Sequence, residues 1–188
     1  ISRIVYMADK INFSQKKADA YELKSERKGL GGLLENLLRK FQVVAHLILI
    51  TPVYLLGSFC IGVALIPGFY LFSSVDSLSV QWSLLSRYLA LGTSLGASYF
   101  LYGFSMILVA PRLNFILRTS LSSWRGPYYS LPAIRWYIHN GLTYLVRYTF
   151  LEFVTPTPMN LLFYRLMGMK IDRGTIINSS QISDPSLI

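Results

Sequence analysis

Residues 41–75 read FQVVAHLILITPVYLLGSFCIGVALIPGFYLFSSV, 35 positions without one Asp, Glu, Lys or Arg. A helix needs about 20 apolar residues to cross the ~30 Å hydrocarbon core of a bilayer. The run therefore predicts one crossing helix over about 43–66, ending near Pro67-Gly68. The remaining FYLFSSV is expected at the far interface, where Tyr70 suits the aromatic belt. Pro52 falls inside the span and is expected to kink it. The run is too long and begins too late for a cleaved signal peptide.

A second uncharged run occupies 88–111, YLALGTSLGASYFLYGFSMILVAP, 24 residues. At 1.5 Å per residue it spans about 36 Å of helix, enough to cross with some tilt. Around the two runs the cations are unevenly placed. Of the 18 Lys and Arg, nine precede the first run, one (Arg87) lies between the runs, and eight come after Pro111. By the positive-inside rule both ends lie on the cytoplasmic side and the short 67–87 loop lies outside. The second span, about 88–110, carries Gly92 and Gly96 as a GxxxG pair. The pair either lets the two spans approach closely or reflects only the frequency of Gly in membrane helices.

Composition agrees with a membrane protein. The 188 residues are 53% hydrophobic and 14% charged with a mean hydropathy of +0.43, where soluble domains carry about 25% charged residues. The net charge of +9 lies outside the apolar runs, so its expected partner is a bilayer with anionic headgroups and no nucleic acid. The single cysteine, Cys60, allows no internal disulfide and no thiolate metal cluster; it is expected as a small apolar residue in a span. With Ile1 in place of Met, the chain is expected to be a fragment or a processed product. Residues 1–40 read as a basic connector, with a possible interfacial helix over GLGGLLENLLRKF (29–41). Oligomerisation is open.

Beyond the hairpin, residues 112–168 read as cytoplasmic amphipathic helices. Over 132–154, Arg135, His139, Thr143 and Arg147 step by four and form one polar stripe on a helix, with Asn140 at its edge. Each Arg at the centre of a crossing helix would cost about 2.5–3.5 kcal/mol. A helix lying in the interface, Arg side to the headgroups, avoids that cost; a third span facing a polar cavity is the alternative. Thr155-Pro156-Thr157-Pro158 is expected to stop this helix, and the apolar 159–169 segment to dock under the bilayer or against the next domain. Trp124 to Tyr129 reads as an aromatic, basic turn at the headgroups. Candidate contacts to a substrate or to lipid headgroups are Arg125, Arg135, His139, Arg147 and Arg165.

The ending, IDRGTI INSSQI SDPSLI, carries Ile176, Ile182 and Ile188 at a period of six, with Ile171 and Ile177 at the same period. Hexapeptide repeats build left-handed parallel β-helices, and about three or more repeats are needed to bury a face. Ile171 and Ile177 take the inward positions, Ser183 the third, and Thr175 the smaller inward position. The expected fold is thus mainly α and integral to the membrane: a two-helix hairpin with cytoplasmic interfacial helices, ending over 169–188 at the first coil of a truncated β-helix.

This junction resembles one in a family of large bacterial membrane proteins whose C-terminal regions alternate membrane helices with hexapeptide-repeat domains. The family includes polylysine-synthase-like, non-ribosomal-peptide-synthetase-like proteins and hexapeptide acyltransferases. The matching positions are Thr157-Pro158, Tyr164-Arg165, Met167-Gly168, Ile171-Asp172-Arg173-Gly174 and Ile177 to Ile182; Asp172 replaces the usual Gly. About 35 residues are alike closely, and the hairpin only in plan. The resemblance implies a bacterial inner-membrane location and a parent enzyme that transfers acyl or aminoacyl groups. Its donor would be a coenzyme A thioester or a carrier-bound amino acid, and its general base a His of the β-helix. The histidines of this chain, His46 and His139, lie outside that region. The sequence therefore assigns no catalytic residue, cofactor or metal here, and reads the chain as the anchor and junction of such a protein. Two other readings stand beside it: a small multi-pass binding or transport subunit whose stripe lines a cavity, and a membrane acyltransferase using His46 or His139 directly.

Overall fold

The uncharged run at 41–75 forms a single helix that does not stop at Pro67. In the computed structural model, which describes residues 25, 29–121, 128–130 and 133–188, α1 covers Leu30–Lys40 and α2 covers Gln42–Ser79, with Pro52 and Pro67 both inside α2. A four-residue turn leads to α3, Leu84–Ile116, which is opened by Ser83 as its N-cap. The expected end at Pro67-Gly68 and the 67–87 loop are thus corrected: only residues 80–83 link the two helices. Where water is scarce the backbone keeps its hydrogen bonds by staying helical, and one missing N–H is tolerated. The hairpin closes with Arg87 Nη2 on Asp76 Oδ1 at 2.8 Å.

The two helices run antiparallel in a fixed register. Cys60 Sγ meets Met106 Sδ at 4.0 Å, and Ser98 Oγ donates to Gly68 O at 2.8 Å. Eight residues separate the two contacts on each helix, so Pro111 lies level with Leu55. The stretch in which both helices are free of charge is then 55–75 against 91–111, 21 residues each. At 1.5 Å per residue this is about 32 Å, close to the ~30 Å of a bilayer core. Both helices are long and apolar enough to cross a membrane. Their outer faces carry exposed Ile66, Phe69, Tyr70, Leu89 and Leu95, which a core helix in water would have covered.

α4, Ala133–Val146, continues into a π-helical turn, Arg147–Leu151. It runs parallel to the first half of α2: Val53 lies against Gly141 and Gly57 against Leu145. Phe150 then fills the space over Gly103 of α3. Projected on α2, the segment climbs to about residue 62 and turns back through Thr155-Pro156. α5, Pro158–Leu166, comes next, with Thr157 capping its N-terminus. The segment therefore runs alongside part of α2 and then turns back on itself. Where α2, α3, α4 and α5 meet, Cys60, Ala64, Met106, Ile107, Val146, Phe150, Phe163 and Tyr164 form one apolar core.

After α5 the chain leaves through Gly168 at φ 105°, where Met169 N reaches back to Tyr164 O. A left-handed C′ glycine of this kind satisfies the last helical carbonyls, and a side chain here would also press on Ser186. Residues 169–188 carry no strand; a 3₁₀ turn at Pro185–Leu187 ends them, and Lys170 N donates to Ile188 O. Ile171, Ile177 and Ile182 are half-buried against the apolar core, whereas Ile176 and Thr175 are exposed. The β-helix coil expected over 169–188 is therefore not shown: Ile182, from the other run of isoleucines, packs inward beside Ile171 and Ile177, and Thr175 is exposed.

Candidate functional site

The polar stripe of α4 faces inward. His139, Asn140, Thr143 and Arg147 are all buried, and only Arg135 remains exposed. The expectation of an Arg side turned to the headgroups is corrected for His139 and Arg147. What covers the stripe is the returning segment 177–184, which the period of four could not reveal.

An extended segment that pairs with no strand must find partners for its carbonyls. Buried side chains supply them here. Asn160 Nδ2 donates to Ile177 O at 2.8 Å, the Tyr164 hydroxyl to Ser180 O at 2.8 Å, and Arg147 Nη2 to Ile182 O at 2.7 Å. At the end of the row, Asp184 Oδ1 accepts from Trp136 Nε1 at 3.1 Å and from Asn140 Nδ2 at 3.3 Å. Outside it, Arg165 Nη2 donates to Ile171 O at 3.2 Å. Each neutral bond of this kind is worth about 1 kcal/mol net, and one from a charged donor about 1.5–3 kcal/mol. The donors on α4, its π-helical turn and α5 thus form a seat for the C-terminal segment.

Arg147 is 3% exposed and makes no ion pair with a described residue. Its guanidinium lies 4.8 Å from the ring centroid of Tyr144 and 6.0 Å from that of Tyr148. Two π faces and one carbonyl therefore replace the carboxylate a buried cation usually seeks. His139 is fully buried, with Nδ1 3.0 Å from Asn114 Oδ1, itself 2.6 Å from Thr119 Oγ1. Burial holds its imidazole below the ordinary histidine value, while the charge of Asp184 acts the other way. His139 Nε2, Asn140 Oδ1, Arg147 Nε and Asn160 Oδ1 are buried without a partner.

This arrangement grips a chain. His139 has no exposed surface from which to reach a substrate, and His46 packs edge-on to Tyr137 at 6.2 Å. Among the described residues no three His, Cys, Asp or Glu gather to hold a metal. Arg125 lies outside the described residues. Gly92 and Gly96 have nothing within 4 Å of a notional Cβ, so among the described residues they do not mediate the packing of the spans; Gly68 and Ser98 do, while Gly103 meets Phe150. Asn114, Asn160, Tyr164 and Asp184 do not stand out in the sequence as polar partners. Their one visible signal is that Asn114 and Asn160 each interrupt an apolar stretch.

No family model, curated protein or solved structure matches this chain.

Proposed function

We propose that this chain is a membrane anchor and junction: an apolar hairpin in the bilayer whose cytoplasmic end holds residues 169–188 in a fixed place. The observation that carries this reading is the row of carbonyls at Ile177, Ser180 and Ile182, each taken by a buried donor of α5 or of the π-helical turn after α4. Buried donors committed to one segment fix its path, and a segment fixed on one side is suited to carry a domain on the other. The charge distribution supports a cytoplasmic position for both ends. The inward Ile171 and Ile177 support a hexapeptide-repeat domain, first coil at 169–188, as the domain carried. On this reading the parent protein is an acyltransferase or peptide-synthetase-like enzyme whose donor, coenzyme A-linked or carrier-linked, binds outside this chain.

The topology is tested with single cysteines and a membrane-impermeant thiol reagent applied to intact cells. Gln81→Cys in the turn should label and Ser179→Cys should not; the reverse pattern, or labelling of both, overturns the anchor reading. The repeat domain is tested by the coding sequence after Ile188. Further hexads with a His in one coil would support it, and a stop codon would remove it while leaving the anchor. The alternative of a substrate cavity lined by the stripe loses support because Arg147 and Asn140 are occupied by the returning segment.

A further inference from the structure

We propose that the slot between α2 and α3 binds one hydrocarbon chain of a membrane lipid from the leaflet next to the turn. The proposal rests on the bilayer reading and adds a defined lipid site to it. A cavity of about 340 Å³ lies between the two helices, within the range of small-molecule sites. α2 contributes Leu65, Phe69 and Phe72 to its lining, and α3 contributes Leu95, Tyr99 and Tyr102. Gly68 and Ser98 also line it and touch at 3.0 Å, so the helices meet behind it. The Ser98 hydroxyl is committed to Gly68 O at 2.8 Å and Ser94 O at 2.7 Å, and the Tyr99 hydroxyl donates to Thr149 O at 3.1 Å. The surface left to a ligand is almost wholly apolar.

Depth decides what fills it. With Gly68 level with Ser98 and Cys60 with Met106, the lining on α3 falls level with residues 64–71 of α2. The slot therefore runs from the middle of the charge-free zone 55–75 almost to its end at the turn, about 12 Å at 1.5 Å per residue. At that depth there is no water to fill it. Phe69, Leu95 and Tyr99 are 67%, 64% and 43% exposed, so the slot is open to the side, where lipid chains lie. A helix 10–12 Å across would take about 1,000 Å³ over the same length; it could lie on the slot but not in it. A single chain descending from the headgroups on the turn side to the bilayer middle matches both the depth and the volume. Hydrophobicity does not favour it there, since the surrounding lipid is equally apolar. Contact with the protein on several sides at once does.

The test uses the full chain in phosphatidylcholine vesicles holding a minor fraction of phosphatidylcholine with a photoreactive diazirine near the end of one acyl chain. The readout is the yield of lipid adduct at individual tyrosines after irradiation, by peptide mass spectrometry. Tyr99 and Tyr102 line the slot; Tyr70, 76% exposed within the same zone, faces the open bilayer. A carbene formed in the slot meets rings, and one formed in open lipid meets other chains. The yield at Tyr99 and Tyr102 should therefore exceed that at Tyr70. Leu95→Trp, which sets an indole in the slot, should bring it down to the Tyr70 level. Leu89→Trp, on an exposed part of α3 outside the lining, should leave the excess in place. Equal yields at the three tyrosines would overturn the site in favour of ordinary surrounding lipid. A yield at Tyr99 and Tyr102 below that at Tyr70 would mean that polypeptide and not lipid covers the slot. These two outcomes are read on the unaltered chain and do not depend on the folding of Leu95→Trp; an excess that survives in a folded Leu95→Trp would also overturn the site. If alkaline carbonate extracts the chain from membranes, the bilayer reading falls and this site with it; if the chain stays and the yields are equal, only the site falls.

Discussion

Along α2 and α3 the chain is held by its smallest side chains, with Ala64, Gly68, Ser98 and Ala110 inside and Phe, Leu and Tyr outside. In α4, α5 and the C-terminal segment the order reverses. There Arg147, His139, Asn160 and Tyr164 are inside, each with a hydrogen bond to a distant part of the chain. The difference comes from the surroundings each region faces. A hairpin in lipid gains nothing by hiding leucines, so its contact comes from close backbone approach. A segment that returns from the apolar zone without pairing as a strand must have its carbonyls capped by side chains, or leave them unsatisfied at about 1–3 kcal/mol each. Substitutions can break this contrast or sharpen it.

The largest effect is expected at Gly103, where the two regions meet. A Cβ there would fall 2.1 Å from the ring of Phe150, and that ring is fully buried among Tyr99, Phe100, Phe104 and Phe153. With no room to swing, the ring must displace α4. Gly103→Leu should cost at least the upper end of the usual overpacking range, about 3 kcal/mol, read as a shifted unfolding midpoint in detergent titration. An unchanged midpoint would mean that α4 is not seated on α3.

The seat comes next. Arg147→Met removes a charge-assisted bond worth about 1.5–3 kcal/mol, and with it the hold on Ile182 O. Because the change also removes a buried charge, the hairpin should unfold as before; only the C-terminal segment should open. Trypsin cleavage after Arg173, an exposed site on that segment, should speed up about ten-fold or more. Tyr164→Phe, which frees Ser180 O, should speed it about five-fold, as expected for a neutral bond of about 1 kcal/mol. If either variant lowered hairpin stability and left cleavage unchanged, the two regions would not be separately held.

Acidity should separate them further. Burial lowers the pKa of His139, so folding favours its neutral form. The seat's stability is then full above the unfolded histidine value of about 6.5 and is lost as pH falls through that value towards the lowered one. Between pH 7 and pH 5.5, above the range of ordinary carboxylates, cleavage after Arg173, normalised at each pH to trypsin's cleavage of an unstructured peptide, should rise in the wild type. His139→Asn, which cannot be protonated, should show a flat profile. A flat wild-type profile would mean that His139 is not closed off by the returning segment.

The hairpin was legible in the sequence because length and charge count decide it, and both survive any local rearrangement. The position of its turn was not, since Pro67-Gly68 reads as a stop in water and is tolerated inside a helix that has no water to turn to. For the stripe of α4, the spacing showed that Arg135, His139, Thr143 and Arg147 share a face. Spacing cannot show what covers a face. The cover is 35 residues further on, between Arg147 and Ile182, in a segment whose backbone rather than side chains does most of the bonding. Backbone carbonyls leave no mark on a sequence, so the seat for them was invisible until the chain was seen to return.

The smallest effect is expected at the motif that drew most notice in the sequence. Gly92 and Gly96 form the spacing associated with close helix packing, yet both sit on the outer face of α3 with nothing within 4 Å of an added Cβ. Gly68, four residues after Ala64 on the other span, is the residue with Ser98 pressed against it at 3.0 Å. Gly96→Ala fills open space and should change the unfolding midpoint by less than about 0.5 kcal/mol, as a surface position does. Gly68→Ala, by contrast, must push Ser98 and its backbone aside and should destabilise by about 1–3 kcal/mol. The two variants differ by the same methyl on neighbouring helices, so their ratio measures which face of α3 meets α2. Equal costs would move the contact to the GxxxG face and turn α3 about its axis. The expected inequality would keep Gly92 and Gly96 facing the lipid.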